Sequence, residues 1–458
     1  MLHLMPHLVT QRHARLWLCA RGVVEDQLDA VSLSLNGIEV PLQDKWLSFP
    51  RWARSVPLHY QFIDQPTLTP DRRYRAVATL NGEQAEADFS TLPDQLGDET
   101  QPLRVLLSSC YFTGNKRSRL AASLLSQLDR NGMRPHLRVW AGDQVYLDAP
   151  WYEFMIKTHS VAELEQLHCD TYARTWFAEQ GLGSVLPRGS SAFCTDDHEL
   201  WNNAPDPNVT ARDTRKRETR EAWSDLAQQL RGAFQGETGN AQRFSVPPLD
   251  FLILDARVHR TEKCARLFSK EQWIALKEWS AQTQGLGVLV TGQPVFDGAS
   301  QHLGGLADYR LADYADDYAE LMNLLGRAAR STVVLTGDVH FSRVAWAAFP
   351  ASSAVPHERR VTEMISSPLS RVAGGSLLSW LGDWSAAPAK ASLPANHSFS
   401  GASLYTDLGL RSSAEGAMLL EFYRRGQRVF CTMSNWRIDD LDGAQPFFRK
   451  DYFLGMSS

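Results

Sequence analysis

Six short apolar, β-branched runs in this chain each lead to a residue able to bind a metal ion or polarise a phosphate. They are VLLSSC with Cys110, LRVWAGDQVY with Asp143, SAFCTDDHE with Asp197, FLILDAR with Asp255, GVLVTGQ with Gln293 and VVLTGDVH with His340. In an α/β sheet the strand ends on one edge share a crevice, where side chains from distant positions converge. Asp143, Asp197, Asp338 and His340 offer hard oxygen and imidazole ligands. Cys110 and Tyr146 add thiolate and phenolate donors suited to a ferric ion. A mixed set of this kind points to a hydrolase with more than one metal ion. A structural zinc would use tight local Cys and His spacing, and the sequence has no C-x-x-C pair.

Each motif has its own chemistry. An Asp that follows a strand, as Asp143 does, can bridge two cations through its two oxygens, and Gly142 lets the backbone turn beside them. Alternation along a strand puts Asp338 and His340 of G-D-V-H on one face. His198 lies between carboxylates in D-D-H-E. Its imidazole can donate to a developing charge or protonate a leaving alkoxide, with Asp196 and Glu199 as candidates to orient the ring. Arg257 offers a planar fork for a phosphate. Asn202 and Asn203 are candidates to hold substrate or metal, and Gln293, Ser366 and Ser367 to line the pocket. Trp140, Trp176, Trp201 and Trp273 read as core or rim.

The elements that must position these residues differ along the chain. Residues 1–95 contain short alternating runs, RLWLCARG, VSLSLNGIEV, YRAVATLNGE and AEADFSTL, separated by turn residues. This spacing predicts a small antiparallel β-sandwich. LPDQLGDETQPL reads as a linker, and residues 96–458 as the catalytic domain. There, helical spacing over Ser118 to Leu128, a capping box at Ser269 and Gln272, and an amphipathic stretch from Tyr314 to Ala329 alternate with the strands. That order is the signature of βαβ units and predicts an α/β fold. AMLLEFYRRGQRVFCTMSNW predicts a hairpin closing a sheet edge. ARDTRKRETRE, residues 211–221, predicts a solvated helical face with i to i+4 pairs.

Bulk properties bound the partners. With 458 residues, 43% apolar content and a net charge of -5, the chain is an ordinary globular protein with a sizeable core. A pI near 6.2 gives no bulk attraction for nucleic acid or anionic membranes. The six cysteines are scattered without framework spacing, as in a reducing compartment. The N-terminus lacks the layout of a signal peptide, and no window reaches the roughly 18 apolar residues of a membrane span. The expectation is a cytoplasmic protein.

S-S-C at 108–110, G-D-Q-V-Y at 142–146, D-D-H-E at 196–199 with N-N at 202–203, L-D-A-R at 254–257 and G-D-V-H at 337–340 occur in the order seen in PhoD-like metallophosphatases. Over residues 100–440 the chain resembles that family, within the calcineurin-like metallophosphoesterase superfamily, and its first 95 residues resemble the family's N-terminal module. The resemblance implies a β-sandwich core flanked by helices behind a small Ig-like all-β domain. It implies two or more metals, Fe³⁺ plus Ca²⁺, with Zn²⁺, Mn²⁺ or Mg²⁺ as alternatives. Cys110, Asp143, Tyr146 and His340 would hold the first metal and Asp143, Asp197 and Asp338 the second. His198 would contact the phosphate, and Arg257 and Asn202 the substrate. Three positions depart from most of the superfamily: Cys110 replaces an Asp-x-His motif, Asp197 an Asn, and Asp338 a His.

The implied activity is hydrolysis of phosphomonoesters, phosphodiesters or both, on a small-molecule or polymeric substrate. Residues 151–190, 204–248 and 372–415 are expected to form the pocket walls. Two rivals remain: a metal-independent hydrolase with Cys110 as nucleophile and His198 as partner, and a binding protein without catalysis. Neither monoester or diester preference nor oligomeric state can be read from these residues.

Overall fold

The structure is a computed structural model and describes residues 1–49, 52, 56–113, 116–149, 151–236, 241–300, 308–353, 355–371, 391–393, 397–440 and 445–456. Two large sheets carry the strands singled out above. The first has six strands in the order Ser190–Cys194, Leu137–Ala141, Leu103–Ser108, Gly416–Arg425, Arg428–Arg437, Phe448–Met456. The second has seven, in the order Gln242–Val246, Leu249–Ile253, Leu286–Val290, Thr332–Thr336, Arg359–Ile365, Ser342–Phe349, Ser403–Ser412. The first three strands of one sheet run parallel, as do Leu249–Ile253, Leu286–Val290, Thr332–Thr336 and Arg359–Ile365 of the other.

Continuous apolar runs form these strands because both of their faces are covered. Every residue of Leu137–Ala141, Leu286–Val290 and Thr332–Thr336 is buried. Side chains alternate between two environments. Val288, Val333, Val139, Met364 and Leu420 meet in the layer between the sheets. Leu289 and Val334 point the other way, onto Leu276, Trp279, Leu321 and Met322 of the helices Lys270–Gln282 and Ala315–Arg327. Leu106, Trp140 and Phe193 of the first sheet likewise pack against the helices Lys116–Arg130, Val161–Trp176 and Arg217–Gln235. The result is a mixed α/β architecture of helix, sheet, sheet and helix layers.

The expected helix over Ser118 to Leu128 forms as Lys116–Arg130, and Ser269 and Gln272 form a reciprocal capping box. Residues 211–221 include the start of the helix Arg217–Gln235, with an exposed Arg217–Glu221 pair at 2.7 Å. The hairpin Gly416–Arg425 and Arg428–Arg437 forms but does not close an edge. Its first arm pairs with Leu103–Ser108 and its second with Phe448–Met456. Met418 and Leu420 face one apolar layer while Leu419 faces the other, so this arm belongs in the sheet interior.

Residues 2–90 build two four-stranded antiparallel sheets. One is ordered Leu2–Val9, Ala14–Arg21, Leu58–Gln65, Leu47–Phe49 and the other Ile38–Val40, Ser32–Leu35, Arg73–Leu80, Glu83–Ser90. Leu4, Leu16, Leu18, Leu33, Ala76 and Phe89 fill the space between them. The outer face of the first sheet is also buried: Met5, Trp17 and Cys19 join Trp176, Trp223 and Phe234 in the helical layer. Trp17 Nε1 donates to the Ala233 carbonyl at 2.7 Å. No helix among the described residues is long and apolar enough to cross a membrane.

Candidate metal centre

Parallel strands bring their carboxyl ends to one rim, where the two sheets nearly touch. A Cβ on Gly337 would lie 2.3 Å from Ser109 Cβ, and one on Gly142 would lie 2.6 Å from Asp196 Cβ. Only glycine permits this approach. Beyond the strand ends the chain turns through left-handed backbone at residues that are not glycine: Cys110 (φ 55), Asp143 (φ 57), Asn203 (φ 68), Asp338 (φ 64) and His340 (φ 47). Each such residue costs roughly 1–2 kcal/mol. Strain of this kind persists where surrounding contacts over-determine it, and it collects at functional sites.

Asp143 is fully buried, and its turn is held by Glu199. The Glu199 carboxylate accepts the backbone N–H groups of Asp143 (2.9 Å), Gln144 (2.5 Å), Val145 (3.3 Å) and Asp196 (2.9 Å). Asp143 Oδ1 accepts the His198 N–H at 3.2 Å, and the Cys110 thiol lies 3.5 Å from Oδ2. Ligand atoms of Asp143, Asp197 and His198 all lie within 4.8 Å of one another. The ring of His198 stacks on Tyr146 at 4.3 Å between centroids. Its Nδ1 pairs with Asp148 Oδ1 at 2.7 Å, which leaves Nε2 facing Asp197, 3.9 Å from Oδ2.

Cys110 joins the two halves of the rim. Its Sγ lies 3.1 Å from the Asp338 carbonyl and 3.1 Å from Ser367 Oγ, and Tyr146 packs against it. Asp338 Oδ2 accepts from Gln293 Nε2 at 2.9 Å, and the His340 N–H donates to Ser367 Oγ at 3.1 Å. Asp338 and His340 are half-buried. Neither they nor Cys110 belong to the tight Asp143, Asp197 and His198 grouping.

A second group, Asp196, Asp197 and Asp308, also has ligand atoms within 4.8 Å, but Arg257 sits among them. Its guanidinium takes Asp308 at 3.2 and 2.6 Å, Asp196 Oδ1 at 2.7 Å and the Ala204 carbonyl at 3.2 Å. Arg257, expected at the substrate, is only 2% exposed and has its fork filled by carboxylates. It is a buried counter-ion that fixes the D-D-H-E turn. Asn202 is half-buried, and its Oδ1 accepts from Asn208 Nδ2 at 2.9 Å. Asp196 and Glu199 do not orient His198, since both are committed elsewhere; Asp148 does.

The electrostatics bear on whether a cation fits. Burial, then repulsion from Asp197, pushes Asp143 well above the usual carboxylate range. Burial likewise lifts Asp338 well up and Asp197 to about 7. Burial alone would depress His198, but Asp148, Asp197 and Asp143 together outweigh it and hold the imidazole well above its ordinary value. Burial, then Asp143 and Asp338, raises the Cys110 thiol. Asp197 Oδ1 and the Tyr146 hydroxyl are buried without a hydrogen-bond partner among the described residues. Crowded acidic donors with free lone pairs and too little positive charge suit hard cations.

Sequence reasoning missed Asp148 and Asp308, which lie outside the motif patterns: Asp148 takes His198 and the Asn202 N–H, and Asp308 takes Arg257, Gln293 and the Asn203 N–H. Asp148 sits five residues past Asp143, a spacing that could have drawn attention to it. Of the expected pocket walls, residues 237–240, 372–390 and 394–396 lie outside the described residues.

No protein-family model matches the chain, and no curated protein matches it by sequence. Among solved structures it is similar to PhoD, with a TM-score of 0.61 at 14% identity over 98% of this chain and 88% of that one. It is similar also to a purple acid phosphatase isolated from yellow lupin (Lupinus luteus) seeds, with a TM-score of 0.59 at 12% identity over 99% and 74%. At these identities the likeness is one of fold.

Proposed function

We propose that this chain, which has a PhoD-like metallophosphatase fold, hydrolyses phosphate esters with the help of metal ions held at the rim. The observation that carries this reading is the buried convergence of Asp143, Asp197 and His198 beside Cys110 and Tyr146. Cys110, Asp143, Tyr146 and His340 would hold one ion and Asp143, Asp197 and Asp338 another, with Fe³⁺ and Ca²⁺ as the proposed pair. When bound, such ions polarise the phosphate and lower the pKa of water.

The remaining chemistry belongs to the chain. Asp148 fixes the His198 ring and keeps it protonated, so Nε2–H is available to a phosphate oxygen or a leaving alkoxide. Tyr146 stacks on a face of that ring. Arg257 hydrogen-bonds Asp196 and Asp308 but only approaches Asp197, at 3.8 Å from Oδ1, so that oxygen keeps its lone pairs for a cation. Asn202 offers its amide NH₂ to the substrate. The metal-independent cysteine mechanism is disfavoured, because a fully buried thiol raised by two carboxylates does not ionise without a cation beside it.

The proposal extends to the whole chain: an Ig-like module over residues 1–95, a catalytic domain over 96–458 and a cytoplasmic location. Support for the location is that none of the six cysteines is in a disulfide. The test is Asp143→Asn assayed on aryl and alkyl phosphomonoesters and diesters. Activity should fall at least about a hundredfold and bound metal should drop, with unchanged circular dichroism. Wild-type rate and metal content in the variant would refute the assignment.

A further inference from the structure

A second cluster of charge lies at the opposite ends of the same strands. A cleft of ≈ 570 Å³ is walled by the strands Arg73–Leu80 and Glu83–Ser90, the end of the helix Lys116–Arg130, and the loop before Ser190. Its lining carries five arginines, Arg73, Arg75, Arg130, Arg134 and Arg188, against three carboxylates. Every carboxylate is already taken. Arg75 holds Glu86, Arg73 and Arg134 share Asp88, and the buried Arg138 grips Asp129 with two bonds of 3.0 and 3.1 Å. Arg130 and Arg188 are exposed and pair with no carboxylate among the described residues.

This surplus of positive charge stands in a protein whose net charge is -5. Burial, with Arg138, Arg73 and Arg188 nearby, pushes the Arg134 guanidinium down to about 10. Planar guanidinium forks match phosphate oxygens in pairs. The lining has no aromatic ring to stack a base, and its polar surface outweighs its apolar surface. We infer that this cleft is a binding site for a compact oligophosphate, recognised through its oxyanions alone and separate from the candidate metal centre. The two are separated by the length of strands such as Leu137–Ala141, whose five residues span roughly 17 Å.

Calorimetric titration of the full-length protein with sodium tripolyphosphate tests this. Arg130→Glu combined with Arg188→Glu should weaken binding at least about tenfold without changing the melting temperature. Lysine at both positions should give an intermediate loss, because charge is kept but the fork is not. Asp143→Asn should leave the affinity unchanged, so failure of the metal-centre reading and failure of this one are separable. Charge reversal at Arg215 and Arg217, away from the cleft, should also have no effect. Absence of tripolyphosphate binding, equal loss in the remote variant, or loss in Asp143→Asn would overturn the inference. Tight binding of a single-stranded oligonucleotide at the cleft, undisplaced by tripolyphosphate, would overturn the small-ligand assignment.

Discussion

Three carboxylates hold the His198 imidazole well above its ordinary range against burial, and the largest of these contributions comes from Asp148. Asp148→Asn keeps a hydrogen-bond partner but removes its charge, so kcat should fall about 10–100-fold. The alkaline limb of the pH–rate profile, where His198 loses its proton, should move to lower pH. His198→Ala should depress kcat most for alkyl leaving groups and least for nitrophenolate, which departs unaided. Equal loss across leaving groups would assign His198 to phosphate binding instead. At this scale the sequence was legible where a motif ends a strand, as for Asp143 and Asp197. Arg257, expected at a phosphate, is found among buried carboxylates; its type suits both equally well, and the positions of Asp196 and Asp308, 61 and 51 residues away, decide between them.

Elements place these side chains through backbone that their residues do not favour. Glu199 supplies the three acceptor contacts that hold the Asp143 turn, and the left-handed residues Cys110, Asp143, Asp338 and His340 fall just past three strand ends. Apolar periodicity revealed the strands and helices but not these turns, whose conformation depends on partners from other elements. The helices behind the first sheet have a pH liability of their own. His168 on Val161–Trp176 is fully buried against Trp223, and neither ring nitrogen finds a hydrogen-bond partner among the described residues. Burial, aided by His159, drops its pKa from 6.5 to about 3. The unfolded chain therefore takes up the proton first. Stability from the neutral ring is full above about pH 6.5 and is lost as the pH falls toward 3. Urea unfolding should show His168→Leu gaining up to about 2 kcal/mol on the wild type between pH 8 and pH 5. Identical pH dependence in both proteins would contradict this.

Across the whole molecule, the first 90 residues are bound to the rest through an apolar face that sequence alone gave no reason to expect. The alternating runs located five of the eight strands; they missed the short Leu47–Phe49 and, of the long strands, Leu2–Val9 and Leu58–Gln65. Those two long strands break strict alternation because both sides are covered, Leu4 inside the sandwich and Met5 against the helices. Removing residues 1–95 should thus leave an aggregating remainder, and Trp17→Ala in the intact chain should cost about 3–5 kcal/mol by urea unfolding. A soluble, fully stable 96–458 fragment would contradict the packing described. The central claim is metal dependence, and it is met most directly by measuring metal content, visible absorption and the rate of phosphate-ester hydrolysis on one preparation before and after chelation. The account predicts bound metal, a charge-transfer band absent in Tyr146→Phe, and loss of activity on chelation that added metal restores. A colourless, metal-free protein that retains its full rate, and loses it on thiol alkylation, would contradict it.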